Sequence, residues 1–146
     1  MTMGALRVLL SVTLAAGAVP VNASEDWMNE DDLRHAFAGK TIQGQYATGK
    51  SFTESYKADG AISYEERDVA YRGHWSLQAG TFCTIYDTDP AGGCYQVRKV
   101  GDNCYEFYFV ARTEQEAAEE GPGAPSWTAR AAVSDRDPTC SDKPSV

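Results

Sequence analysis

The chain has 146 residues, 13 basic against 21 acidic side chains, a formal net charge of −8 at pH 7 and four cysteines. That length suits one domain and is short for two, and a field of this sign repels phosphate backbones and anionic lipid heads, which argues against nucleic-acid and membrane-surface binding. Such acidity serves either a basic partner or solubility.

The first stretch reads as a leader. Residues 1–7 carry one positive charge, residues 8–19 are apolar with small side chains, and Val21-Asn22-Ala23 places small residues where a signal peptidase reads. This is the layout of a secretory signal peptide spanning 1–23, cut between Ala23 and Ser24. The apolar run of about a dozen residues falls short of the roughly 20 that a membrane span needs, and no cysteine follows it to carry a lipid. The expected product is a soluble periplasmic or secreted protein, not embedded in a membrane, made of a single domain at 24–146. Loss of Arg7 leaves it with 12 basic and 21 acidic residues, a charge of −9.

A short helix is expected within 24–39. Asn29 can cap it, Glu30, Asp31 and Asp32 suit the positive helix end, and Gly39 is a natural stop. Leu33, Ala36 and Phe37 make its apolar face, which must pack on something because so short a helix is marginal alone. His35 lies beside that face and reads as solvated.

From Thr41 the period becomes two. Strands are expected at 41–47, 51–57, 61–66, 71–78, 81–86, 94–100, 104–111 and 126–133, with an Asp59-Gly60 hairpin turn among the connections. About eight short antiparallel strands in an up-and-down meander can close into a small barrel, which removes exposed edges. The fold class is therefore mainly β with one short N-terminal helix. Between the last two strands lies an acidic loop at 113–125 (TEQEAAEEGPGAP), part of which, 114–120, could wind into about two helical turns. An irregular C-terminal tail follows.

Four cysteines in an exported chain of this size argue for two disulfides. Centring a hairpin on 87–93 places Cys83 opposite Cys94. A turn at Gly101-Asp102 puts Cys94 opposite about residue 109 and Cys104 opposite about residue 99, so those two are out of register. The expected pairs are Cys83–Cys94 and Cys104–Cys140. A zinc site is disfavoured by the lack of C-x-x-C spacing and by having only two histidines.

The order of these features resembles an uncharacterised family of small exported proteobacterial proteins with lipocalin-like barrels. The resemblance is carried by the capped helix ending in Phe-x-Gly, the glycine and aromatic pattern at 39–46, Asp59-Gly60, Gly-x-Trp at 73–75, Phe82-Cys83 and Cys94-Tyr95, and it covers roughly 32–110. It implies a lipocalin-like barrel and export, and no activity.

Catalytic machinery is not evident. His35 and His74 are the only imidazoles; with Trp75 facing in, His74 faces solvent, and no serine sits in a Gly-x-Ser-x-Gly elbow. Glu65, Glu66 and Asp68, or Asp87 and Asp89, are clustered acids without the spacing of a calcium loop. A hydrolase built on Glu65 or Glu66 would need a carboxyl with a raised pKa inside a cleft.

The interior says more. Outward cysteines at 83 and 94 turn Phe82, Thr84, Tyr86, Tyr95 and Val97 inward, and Tyr105, Phe107 and Phe109 are the apolar set of their strand. Such a barrel is either filled by its own side chains or holds one small ligand. The leading expectation is a non-enzymatic, exported barrel binding a small amphipathic or apolar ligand, lined by Tyr46, Tyr56, Trp75, Phe82, Tyr86, Tyr95 and Phe107, with no metal and no cofactor. The alternative is a periplasmic interaction or inhibitor module that meets a protein partner through its rim loops and the acidic 113–125 loop.

Overall fold

The computed structural model describes residues 26–88, 92–119 and 126–141; the expected leader and its cleavage site, Asp89 and the end of the acidic loop lie outside them. The elements are α1 (Glu30–Phe37), β1 (Lys40–Tyr46), β2 (Ser51–Tyr56), β3 (Ala61–Glu66), β4 (Val69–Gln78), β5 (Thr81–Tyr86), β6 (Gly93–Gly101), β7 (Cys104–Ala111), α2 (Glu114–Glu119) and β8 (Ala129–Val133). Each strand pairs antiparallel with the next, and β8 returns to β1, so the sheet is a closed eight-stranded barrel. Closure brings the backbones of β1 and β8 close at Gly44, which faces inward opposite Ala131. A Cβ on Gly44 would lie 2.6 Å from the Phe52 ring and 2.7 Å from the Ala131 methyl, so the seam needs glycine there.

Period two sets the inside of every strand. Ile42 and Tyr46, Phe52 and Tyr56, Ile62 and Tyr64, Trp75, Phe82, Val97, Tyr105 and Phe107, Ala129, Ala131 and Val133 gather in one core. The Asp59-Gly60 turn forms as expected: Gly60 has φ 93° and the Asp59 carboxylate accepts from the Ala61 N–H at 3.0 Å. Strand β4 starts two residues earlier than its composition suggests. Arg67 and Asp68 both take positive φ, 50° and 65°, making a two-residue hairpin turn that lets Val69 pair with Glu66.

Helix α1 is capped as expected, with the Asn29 side chain accepting from the Asp32 N–H at 2.9 Å. It lies across the barrel end that carries the 57–60 and 79–80 turns; the Glu30 carboxylate accepts from the Gly80 N–H at 3.2 Å and Tyr56 O accepts from the Gly39 N–H at 2.7 Å. Phe37 enters the barrel from this end, fully buried, with ring centroids 5.0 Å from Phe82 and Tyr105, 5.7 Å from Phe107 and 5.9 Å from Tyr56. Burying a phenylalanine contributes about 1.5–3 kcal/mol.

Both expected disulfides are present, Cys83–Cys94 and Cys104–Cys140. Their register differs in detail. Cys83 does lie opposite Cys94, but Cys94 pairs with Ala111 rather than with residue 109, and Gly101 pairs with Cys104. The β6–β7 turn sits one residue further on, at Asp102-Asn103, and register shifts at Cys94/Tyr95 and Lys99/Gly101 distort the ladder. Asn103 explains the placement. Its buried amide donates to the carbonyl of Val133 at 2.9 Å and its oxygen accepts from the Val133 N–H at 2.9 Å, so the turn holds the outgoing tail.

The cysteines of the first disulfide point out of the barrel yet are fully buried, because Ala117 of α2 covers them together with Val110 and Ala111. The expected helical turns in the acidic loop are thus a lid over that staple. In the chain-entropy model a loop scales as the logarithm of its length, so losing Cys104–Cys140 (separation 36) should cost about 1 kcal/mol more than losing Cys83–Cys94 (separation 11). Urea unfolding of the two paired Cys→Ser variants measures this; equal losses would show that α2 packing, not loop closure, sets the value of the first bridge.

Candidate functional site

Phe37 leaves part of the interior open. Above it the barrel holds a cavity of about 350 Å³, reaching the rim formed by Lys50, Glu66, Gly92, Arg112 and Thr128, near the other strand connections. Tyr46, Tyr56, Phe82, Tyr86, Tyr95 and Phe107 line it, as do Phe52, Tyr64 and Thr84. Trp75 does not, which corrects the sequence expectation. A buried indole N–H needs an acceptor, and Trp75 Nε1 finds the Lys57 carbonyl at 2.8 Å by turning toward the closed end, where its ring packs on Tyr56 and Phe82.

The residue that sequence reasoning missed is Glu54. It is 5 % exposed and projects into the cavity between Phe52 and Tyr56 on the inward edge of β2. Tyr56 donates its hydroxyl to Glu54 Oε2 at 2.5 Å, and Tyr86 donates to Oε1. Both oxygens therefore accept from phenols. Burial pushes the Glu54 carboxyl up to about 7, against the pull of these two hydrogen bonds toward the charged form. The same burial raises the phenols: Tyr46 is pushed up to about 12, and Tyr56, Tyr86 and Tyr95 lie well above the ordinary tyrosine value. At neutral pH the cavity thus offers protonated hydroxyls and one carboxyl poised between its two forms.

A second hydrogen-bond chain climbs to the rim. Tyr46 donates to the Tyr64 hydroxyl at 3.2 Å, and Tyr64 donates to Glu66 Oε2 at 2.7 Å. The Tyr64 bond holds the Glu66 carboxyl below its usual range, helped by Lys50 at 3.6 Å. Glu66 is therefore a stabilised anion, and Glu65 is exposed on the outside. The carboxyl that combines burial, a cleft and a raised pKa is Glu54. Arg112 completes the rim, with its guanidinium donating to the Gly92 carbonyl at 3.2 Å and lying 5.0 Å from the Phe109 ring.

Outside the barrel, His74 is exposed and meets Glu114 at 3.2 Å, and Ser76 donates to the same carboxylate. Glu116 accepts from the Arg112 N–H at 3.1 Å. The described part of the acidic loop is therefore bound down on the barrel wall. The Cys83–Cys94 and Cys104–Cys140 sulfurs are all engaged, and among the described residues no group of His, Cys, Asp or Glu is arranged to hold a metal ion. No family model matches the chain, and no curated protein matches it.

Glu54 makes a pH signature. Its carboxyl titrates near 7 in the fold and at about 4.5 in the unfolded chain, so between those values the folded state binds the extra proton. Stability attributable to the neutral form is full below about 4.5 and is lost as pH rises through 7, a difference of about 3 kcal/mol. Glu54→Gln should flatten this fall and leave the variant about 1–3 kcal/mol more stable than the parent at pH 8. Urea unfolding from pH 4.5 to 8 reads it; parallel curves for parent and variant would show that Glu54 is not the group responsible.

Proposed function

We propose that the protein is an exported, non-enzymatic barrel that takes one small amphipathic ligand into the open part of its interior, in keeping with the small exported lipocalin-like proteins it resembles. The observation that carries this reading is the cavity of about 350 Å³ with Glu54 and several tyrosine hydroxyls converging over an aromatic floor. Ligand sites are typically apolar clefts of about 300–1,000 Å³ with a few well-placed polar groups. The six lining residues expected from the sequence, Tyr46, Tyr56, Phe82, Tyr86, Tyr95 and Phe107, supply faces for stacking and hydroxyls for orientation.

Export is supported by the leader pattern at 1–23 and by two disulfides, which fit an oxidising compartment. The described helices include none long and apolar enough to cross a membrane. The acidic loop carries the interaction-module alternative less well than the cavity carries ligand binding, because Glu114 and Glu116 are spent on the barrel itself.

A neutral apolar dye such as N-phenyl-1-naphthylamine tests the reading. It should bind one equivalent and fluoresce. Thr84→Phe, which fills the cavity from an inward position on β5, should weaken that binding by at least about tenfold while leaving the circular dichroism unchanged. Native mass spectrometry of protein exported by its host should show a co-purifying small molecule. Absence of both dye binding and a bound molecule would remove the reading.

A further inference from the structure

We propose that the ligand of this cavity is an organic ammonium ion on an apolar body, held between the Glu54 carboxylate and the surrounding aromatic rings. The assignment rests on the reading of the cavity as a ligand site.

One buried acid in the cavity lacks a basic partner. Glu54 is buried, and among the described residues its side chain accepts hydrogen bonds from the two phenols, with no lysine, arginine or histidine in an ion pair with it. Buried carboxylates are ordinarily paired, because an uncompensated ion inside a protein is costly. The nearby cations are otherwise occupied: Lys50 is paired with Glu66, and Arg112 is fixed on the Gly92 carbonyl and the Phe109 ring. Two donated hydrogen bonds set the carboxylate in place on the cavity wall and leave it further lone pairs with which to accept. Protonation relieves that cost below about pH 7, and above it a positively charged guest does so. A neutral guest leaves it, and an anionic guest adds to it.

The walls agree with the floor. A cation within about 6 Å of an aromatic face is attracted by the ring quadrupole, most strongly where water is excluded, and ringed aromatic cages are a recurrent receptor for ammonium groups. Tyr46, Tyr86 and Tyr95 present rings to the same cavity that holds the carboxylate. The formal charge of −8 draws cations toward the molecule as a whole.

The pH dependence follows from the groups that face Glu54. From β2, β3 and β5 these are Tyr56, Tyr64 and Tyr86, from β1 and β6 Tyr46 and Tyr95, and at the rim Glu66, Lys50 and Arg112; α1 presents Phe37 and Leu33, neither of which titrates. The five phenols stay protonated and Glu66 stays ionised through the neutral range. His35 and His74 are exposed outside the barrel. Glu54 is then the facing group that changes charge near neutrality, and a bound cation favours its ionised form. Binding below pH 7 should therefore release a proton.

Three probes of one shape separate the charges: phenethylamine (a cation below about pH 9), 2-phenylethanol and 3-phenylpropionate, each titrated calorimetrically into the full chain at pH 5.5, 7 and 8. At pH 8 phenethylammonium should bind at least about tenfold tighter than the alcohol, and the anion should bind least. Its affinity should fall about tenfold for each pH unit below 7, with proton release read from buffers of different ionisation enthalpy. Glu54→Gln should abolish both the preference for the amine over the alcohol and its pH dependence. An alcohol that binds as tightly as the amine, or amine binding that is flat from pH 5.5 to 8, overturns the ammonium assignment while cavity binding stands. If none of the three probes and no naphthylamine dye binds, both fall. The pH series on the parent chain needs no variant, so a Glu54→Gln protein that failed to fold would leave the outcome readable.

Discussion

The seating of Phe37 in the end of the barrel is the contact on which the remainder depends. An eight-stranded barrel encloses more volume than its own inward side chains need when several are alanine or glycine, as at Ala129, Ala131 and Gly44. One ring entering from α1 takes up the slack at one end and touches Tyr56, Phe82, Tyr105 and Phe107 together. It makes a dry floor. The level of that floor decides how much space is left above it, and it keeps water from reaching Glu54 from below.

Glu54 shows two opposed forces at one carboxyl. Loss of water favours the neutral acid, and the phenols of Tyr56 and Tyr86 favour the anion; burial is the larger influence, so the group titrates near neutrality. Glu66, two rungs nearer the rim on the paired strand β3, has a phenol and a lysine but also solvent, and it settles as an anion. Two glutamates of the same inward phase thus behave differently because one is in the cavity and the other is at its mouth. The outer surface handles a buried acid in a third way: Glu106 is 1 % exposed on β7 and meets Arg130 at 2.5 Å.

Much of the fold was legible because it is written in local periodicity. The alternation in TIQGQYA or AISYEE sets facing without knowledge of neighbours, and Asn29, Asp59-Gly60 and Gly39 punctuate the chain through their own conformational preferences. The disulfides were legible for a related reason, since the 87–93 turn fixes which residues stand opposite. Where tertiary contacts decide, the reading slipped. The β6–β7 turn moved by one residue because Asn103 answers to Val133, thirty residues away. Trp75 left the cavity wall because its indole N–H answers to a carbonyl in another hairpin. Glu54 is different. Its signal is present, since SFTESY puts a glutamate in step with Phe52 and Tyr56, but a lone acid in an apolar phase is a weaker flag than acids clustered at a strand end.

One consequence of the single open end concerns traffic. A tube open at both ends can pass a molecule from one side to the other, whereas a cup with a sealed base admits and releases through one doorway. Among the described residues the doorway is framed by Lys50 with Glu66 on one side and by Arg112, anchored to Gly92, on the other. On the proposed ligand-binding reading, a guest would enter and leave past the same charges. The deep groups would set how tightly it is held and the frame how quickly it exchanges, so that retention and exchange would be written in different residues.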